Sequence, residues 1–213
     1  MWSPVLFLIL ASAQQSAVVI DRIAVIVGRH VIKTSDIVRD LRLTEFLNRE
    51  SVNLGPEAKR KSAERLIDQE IIRQEIVTGG YRRPPEAEGQ AYEKQLEKDR
   101  FHGSAAQMRE ALAKYGLTEE MLRDELLWQL TVLRFIDQRF RAGVLVTDEE
   151  VKSYYDQNLD ALRGKNPQAY SLQALQPKIR STLEGDRINQ SFNEWLEQQR
   201  KIYRIEYRQE AFE

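Results

Sequence analysis

The stretch IDRIAVIVGRHVIKTSDIVRDLR, residues 20–42, decides how this chain folds. It begins with a run of β-branched residues, turns at Gly28 and continues in a second short apolar run, a pattern typical of a β-hairpin. Thr34, Ser35 and Asp36 follow, and their side-chain oxygens can accept hydrogen bonds from the unpaired amides at the start of a helix. The stretch therefore predicts strand, turn, strand, cap and helix in that order.

The same stretch has a partial likeness to a phosphate-binding loop, because Gly28 is followed by Lys33 and Thr34. That loop needs a second glycine directly before the lysine, so that the backbone can wrap around the phosphates. Here the position holds Ile32, whose branched side chain makes the required backbone angles costly. We therefore expect a hairpin at this place and no nucleotide site.

Composition narrows the classes of function. The chain has 213 residues, with 32 Lys and Arg against 33 Asp and Glu, so it lacks the basic excess of a general nucleic-acid-binding protein. It has no cysteine, and its two histidines, His30 and His102, have no helical partner at metal-ligand spacing. Acidic runs such as Asp148-Glu149-Glu150 fall in first turns of predicted helices, where they complement the helix dipole. We expect no nucleic-acid partner, no metal, no cofactor and no catalytic residue.

The first residues resemble a secretory signal peptide. Residues 5–10 are apolar, and Ala11-Ser12-Ala13 fits the small-x-small pattern for cleavage after residue 13, with cleavage after Ala17 as a second option. No Lys or Arg precedes the apolar run, which is too short to span a bilayer. The alternatives are a buried N-terminal strand or a mis-assigned start codon. We expect an exported protein without a membrane anchor.

Caps and helical periodicity predict a series of helices after the hairpin. We expect them over about 35–48, 56–79, 85–100, 104–116, 118–140, 147–155 and 171–201. In the third, Tyr92 and Leu96 are the expected apolar anchors. The helix over 118–140 carries two apolar stripes and is therefore expected to be a central helix covered on two sides; the stripes are Leu122, Leu126, Leu133 and Ile136, and Met121, Trp128, Val132 and Phe135.

The end of the chain changes period. Tyr203, Ile205 and Tyr207 alternate with charged residues, which predicts a half-buried strand. A single strand is unstable without a partner, and the other predicted strands are those of the N-terminal hairpin. We therefore expect a mainly α fold, one domain over 18–213, closed by a small antiparallel sheet of the N-terminal hairpin and the C-terminal strand.

Taken in order, these segments resemble the SurA-like periplasmic chaperones. The resemblance rests on apolar patterns and caps, and it covers nearly all of the mature chain: residues 20–42, ERLIDQEIIRQEIV (64–77), SAAQMREALAKYGLTEEMLRDELLWQLTVLRFID (104–137), VTDEEVKSYYDQN (146–158) and FNEWLEQQRKIYRIEY (192–207). In relatives with an isomerase module, a parvulin domain lies between the last two segments. Here residues 159–170 stand in that place, so we expect a short linker and no prolyl isomerase activity.

The resemblance implies an ATP-independent periplasmic chaperone that holds unfolded exported or outer-membrane polypeptides in an apolar cradle between helices. Methionine and aromatic side chains suit such adaptable contacts. The candidate client-binding residues are Tyr81, Tyr92, Phe101, Met108, Tyr115, Trp128, Phe135, Tyr154 and Tyr155.

Each of these candidates has a competing interpretation as a core residue. For Trp128 and Phe135, which lie on regular stripes, we favour the core. Tyr81, Phe101, Tyr154 and Tyr155 lie near predicted helix ends, where exposure is expected. Two other functions stay open: a residual peptidyl-prolyl isomerase, and a non-catalytic assembly partner of one periplasmic protein or of a second copy of the chain, including a homodimer that exchanges its terminal helix.

Overall fold

The computed structural model describes residues 21–158 and 171–213, and these contain seven α-helices and three strands. Their bounds are β1 Ile23–Val27, β2 His30–Lys33, α1 Thr34–Asn48, α2 Pro56–Thr78, α3 Glu86–Phe101, α4 Ala105–Lys114, α5 Glu119–Phe140, α6 Asp148–Gln157, α7 Leu172–Ile202 and β3 Ile205–Tyr207. Single 3-10 turns follow α5 and β3. The predicted fold class is confirmed. The predicted signal peptide (1–13 or 1–17) and linker (159–170) lie outside the described residues.

The sheet joins the two ends of the described chain. Its strand order is β2-β1-β3, and β1 is antiparallel to both neighbours. Val25 faces Tyr207 and Val27 faces Ile205 across the β1–β3 pair. The amide of Arg208 donates to the carbonyl of Ala24 at 2.9 Å. The predicted pairing of the N-terminal hairpin with the C-terminal strand is therefore confirmed.

The hairpin turn explains why no phosphate loop forms. Gly28 has a φ of +60°, a backbone conformation that residues with a Cβ rarely adopt. The amide of Lys33 donates to the Asp36 carboxylate at 2.9 Å, which ties the end of β2 to the first turn of α1. Lys33 and Thr34 thus belong to the strand end and the helix start, and their backbone does not wrap around an anion.

The start of α1 is capped differently from the prediction. Asp36 accepts a backbone amide as expected, but Ser35 and Thr34 bond to residues that precede β1. The Asp21 carboxylate accepts from both the amide (3.1 Å) and the hydroxyl (2.6 Å) of Ser35. A carboxylate is a stronger acceptor than a hydroxyl, and Asp21 accepts the first-turn amide of Ser35. Of the three predicted capping residues, Asp36 accepts a cap amide.

Two apolar clusters form the body of the protein. The sheet core lies between the sheet, α2, the C-terminal part of α5 and the C-terminal half of α7; its large buried members include Val25, Val27, Ile37, Ile67, Ile71, Ile76, Phe135, Trp195 and Phe212. The helical core lies between α1, α4 and the N-terminal part of α5; its buried members are Leu43, Phe46, Met108, Leu112, Leu117, Leu122 and Leu126.

The helix α5 enters both cores, but through its two ends rather than through two stripes. Leu122 and Leu126 lie in the helical core and Phe135 lies in the sheet core. Leu133, which was expected to continue the first stripe, is 62% exposed. The reason is that the partners of the stripe, α1 and α4, lie against only the first part of α5.

Of the two residues expected to anchor α3, Tyr92 does not do so, because it is 53% exposed. Leu96 does pack against the helical core. Close approach to α5 is possible because α3 has a glycine, Gly89, facing Leu127. Arg123 of α5 pairs with Glu93 of α3 at 2.7 Å, so an ion pair supplies the contact that the sequence had assigned to Tyr92.

A third cluster joins α6 to the N-terminal half of α7, and we call this pair of helices the α6–α7 arm. Its buried residues are Val146, Val151 and Ile179. A capping box starts α6, with Thr147 and Glu150 each accepting the other's amide. With 31 residues, α7 is long enough to pack on α6 at one end and to complete the sheet core at the other.

Charged side chains fasten β3 and α7 to α2. Arg200 pairs with Asp68 at 2.6 Å and with Glu64 at 2.8 Å. The Tyr207 hydroxyl donates to the same Glu64 carboxylate at 2.7 Å. Burial, together with this hydrogen bond and the charge of Glu64, raises the pKa of Tyr207 to about 12.

The raised pKa predicts how stability depends on pH at the alkaline end. Because the folded pKa of Tyr207 lies above the ordinary value of 10.0, its contribution is complete below pH 10 and is lost as the pH rises through about 12. In urea unfolding, Tyr207→Phe should be less stable than the parent at pH 8 by about 0.5–1 kcal/mol, since the side chain is partly exposed. The difference in the free energy of unfolding between Tyr207→Phe and the parent should vanish towards pH 12.

The matched control is Tyr92→Phe, because Tyr92 is exposed and its hydroxyl makes no such bond to any residue of 21–158 or 171–213. This variant should equal the parent at pH 8. A difference between Tyr207→Phe and the parent that stayed constant up to pH 12 would contradict the assignment.

Candidate functional site

An open groove of about 940 Å³ lies where α1 passes the two ends of the described chain; we call it the α1 groove. Five parts of the chain contribute to it: one face of α1, the segment just before β1, the segment after β3, the joint between α4 and α5, and Lys59 of α2. Its lining includes Ser35, Val38, Arg39, Arg42, Lys59, Leu117, Met121 and Ala211.

The helix α1 presents opposite faces to the core and to the groove. Ile37 and Leu41 are buried in the sheet core. Ser35, Val38 and Arg42 recur at the spacing of a different helical face and line the groove. The apolar part of the groove combines Val38 with three residues from distant parts of the chain: Leu117, Met121 and Ala211.

Several charges around the groove are used by the fold. Asp21 accepts from Ser35, and this hydrogen bond is the main cause of its lowered pKa. Arg39 pairs with Asp36 in the first turn of α1. Lys59 donates to the backbone carbonyl of Glu213 at 2.7 Å. These contacts connect α1 with the hairpin, and α2 with the end of the chain.

A second, smaller depression of about 320 Å³ adjoins the α1 groove, sharing Arg39 and Met121 with it. It lies between β2, α1, α2 and α5, and we call it the α1–α5 cleft. Its lining includes the half-buried Trp128. The Arg73 guanidinium packs over the Trp128 ring, 4.6 Å from the ring centroid. Burial raises the pKa of the Glu125 carboxyl in this cleft.

The predicted client-binding residues lie in all three apolar clusters. Tyr81, Trp128 and Phe135 belong to the sheet core; Phe101, Met108 and Tyr115 to the helical core; and Tyr154 and Tyr155 to the α6–α7 arm. Of these, Trp128 lines one of the two depressions described above.

Two of these residues are fully packed. Met108 and Phe135 are each 1% exposed, so a bound polypeptide cannot contact them in this conformation. For Phe135 this confirms the core interpretation that its stripe favoured. Trp128 is only half-buried, so it contributes both to packing and to the surface of the α1–α5 cleft.

Among the other candidates, Tyr92 is exposed, and Tyr81, Phe101 and Tyr115 are half-buried with specific contacts. Tyr81 packs edge-on against Phe135 with ring centroids 5.0 Å apart, and its hydroxyl accepts from Arg139 at 3.0 Å. Phe101 stacks on Phe46, and the Tyr115 hydroxyl donates to the carbonyl of Glu50 at 2.8 Å. These rings are therefore held in fixed positions at the edges of the cores.

Sequence reasoning missed the residues that line the α1 groove. Met121 is predicted on a core stripe of the helix over 118–140. Val38 is not among the predicted site residues, although it is an apolar residue on the otherwise polar face of α1 formed by Ser35, Arg39 and Arg42. Such an isolated apolar residue is a weak sequence signal, since single exposed apolar residues are common.

Neither histidine takes part in a metal-binding arrangement. His30 Nδ1 lies 3.1 Å from Glu70 Oε1, and His102 ends α3 in a left-handed conformation. Residues 21–158 and 171–213 contain no group of three His, Asp or Glu side chains placed to hold a metal ion. Within the same ranges, no helix has the length and apolarity required to cross a bilayer.

Comparison with known proteins gives one informative similarity. No family model matches the chain. The Chaperone SurA of Chromobacterium violaceum is 27% identical over 198 residues, which cover 87% of this chain and 44% of that protein. The chain therefore spans less than half the length of this relative. The similarity extends over most of this chain.

Proposed function

We propose that this protein is an ATP-independent periplasmic chaperone that binds unfolded exported or outer-membrane polypeptides in the α1 groove. The observation that carries the proposal is the open groove with the half-buried apolar side chains of Val38 and Met121 in its lining, over the buried Leu117. Concave apolar surface of this kind marks binding sites in proteins. The similarity to Chaperone SurA supports a polypeptide as the ligand.

The size of the apolar lining favours weak, reversible binding. Burial of apolar surface contributes about 25 cal/mol per Å². Ordering an unfolded segment costs about 1–2 kcal/mol per residue, which offsets much of that gain. Since few apolar side chains line the groove, a client can leave without an energy source. A hairpin in place of a phosphate loop at Gly28 agrees with a mechanism without ATP.

The groove can be tested by a single substitution with a matched control. Val38→Gln should weaken client binding about threefold to tenfold, because it removes an apolar contact from the groove. Val77→Gln makes the same chemical change at a valine that is 63% exposed on α2 and outside both depressions, and should have no effect. The measurement is suppression of light scattering by several unfolded outer-membrane proteins at near-stoichiometric ratios.

Two outcomes of this assay would contradict different parts of the proposal. Equal suppression by the two variants would place client binding elsewhere on the protein. Failure of the parent protein to suppress aggregation of any client would overturn the chaperone proposal.

We further propose that the protein does not catalyse prolyl isomerisation. The support is the segment between α6 and α7, since residues 159–170 are too few to form a parvulin domain. In a proline-peptide assay, relaxation should keep its uncatalysed time of about 10–100 s at 25 °C. A known prolyl isomerase added to the same mixture is the positive control. Acceleration that a single substitution abolishes would contradict this proposal.

Crosslinking distinguishes a chaperone from the assembly partner of one protein. A photoreactive amino acid that replaces Met121, in the lining of both depressions, should capture many exported polypeptides of different mass in cells. The same replacement at the exposed Leu133 is the control and should capture few. One dominant adduct would favour an assembly partner, and an adduct of twice the chain mass would indicate a homodimer through this face.

A further inference from the structure

The α1 groove contains a charge that the fold does not use. Arg42 lies one helical turn after Val38 and is half-buried. Its guanidinium lies against the α4–α5 joint, since a Cβ built on Gly116 would come within 2.8 Å of Arg42 Nη1. It makes no side-chain hydrogen bond or ion pair within the part of the chain that the structure describes.

The other charged groups of the groove are either paired or open to water. Asp21, Arg39 and Lys59 have the partners given above. The side chains of Arg22, Glu210 and Glu213 have no partner among the described residues, but all three residues are exposed, so water solvates them. Among the charged residues lining the groove, Arg42 is therefore the one partly withdrawn from water without a compensating anion.

The Arg42 nitrogens are not among the fully buried polar atoms without a partner in the described residues, so the guanidinium can be reached from the groove. With no partner among those residues, it is free to bind an anion there. A carboxylate suits the planar fork of arginine, with which it can form paired hydrogen bonds. The interaction is stronger in a groove that excludes part of the water than at an open surface.

We propose that the α1 groove selects extended polypeptide segments in which an Asp or Glu side chain lies next to apolar residues, with Arg42 binding the carboxylate. The proposal deepens the proposed chaperone function and rests on it. An internal acidic residue is favoured over a chain end because the groove is open and an extended segment can cross it.

The spacing of the groove residues suggests a motif. Val38 and Arg42 are four residues apart on α1, which places their Cβ atoms about 5–6 Å from each other. In an extended segment, residues i and i+2 lie on one side at about 6.6–6.8 Å. An apolar residue over Val38 thus brings a carboxylate two positions away close to Arg42. The expected recognition unit is apolar-x-Asp or apolar-x-Glu.

The experiment compares three labelled peptides by fluorescence anisotropy on the full protein. The first contains apolar-x-Glu and ends in an amide. The second has Gln in place of Glu. The third has the Gln sequence and a free terminal carboxylate. The parent should prefer the first over the second about tenfold, as expected for a charge-assisted hydrogen bond. This preference should shrink as salt is raised.

Variants at Arg42 assign the preference to this side chain. Arg42→Gln should bind the first and second peptides equally, with the affinity of the second unchanged. Arg42→Lys should keep part of the preference, since the charge remains without the fork. Arg83→Gln, at an exposed arginine between α2 and α3, is the control and should behave as the parent. The melting temperature of Arg42→Gln should stay close to that of the parent, because Arg42 makes no side-chain hydrogen bond or ion pair among the described residues.

Failure of this inference differs from failure of the proposed function. Equal binding of the first and second peptides by the parent, or a preference that survives Arg42→Gln, overturns the carboxylate inference alone. Stronger binding of the third peptide than of the first would make a chain end the ligand and overturn the internal motif. Absence of binding by all three peptides would overturn both proposals.

Discussion

The pairing of β1 with β3 is the contact on which the rest of this structure depends. β1 is the central strand, and its residues Val25 and Val27 face β3 on one side while lying in the sheet core. The pairing also brings together the segments on either side of the sheet. Asp21, just before β1, caps α1, and Ala211, just after β3, lines the same groove. The α1 groove therefore exists only when the two ends of the described chain have met.

The packing of α5 explains how one small domain presents such a groove. Its two ends enter different cores, and the body consists of two clusters joined by α1 and α5 rather than one continuous core. Residues near the junction, such as Met121, are neither fully buried nor fully exposed. Both depressions include Met121, so the boundary between the two cores is where apolar side chains remain accessible.

Local sequence patterns predicted the elements well, because caps and periodicity act within a few residues. Thr118 accepts the amide of Met121 at the start of α5 as its position predicted, and the alternation from Tyr203 to Tyr207 does mark a strand. The candidate site could not be predicted in the same way. The α1 groove is lined by residues more than a hundred positions apart in sequence, such as Val38 and Ala211. A local sequence pattern cannot predict that such distant residues lie close together. Aromatic residues were a poor guide to it, since rings such as Tyr81 and Phe101 pack at the edges of the cores.

Stability and binding use different charged groups in the α1 groove, and this limits what the groove can recognise. The contacts of Asp21 and Lys59 fasten α1 and α2 to the two ends of the described chain, so these charges cannot bind a ligand without loosening the walls of the groove. Arg39 is paired with Asp36 inside α1. Arg42 makes no such stabilising hydrogen bond or ion pair among the described residues. A client can therefore gain apolar contact and one half-buried ionic contact from a groove that is already formed. Because the groove is preformed, the ordering cost falls mainly on the client, and segments that are already extended should bind better than compact ones.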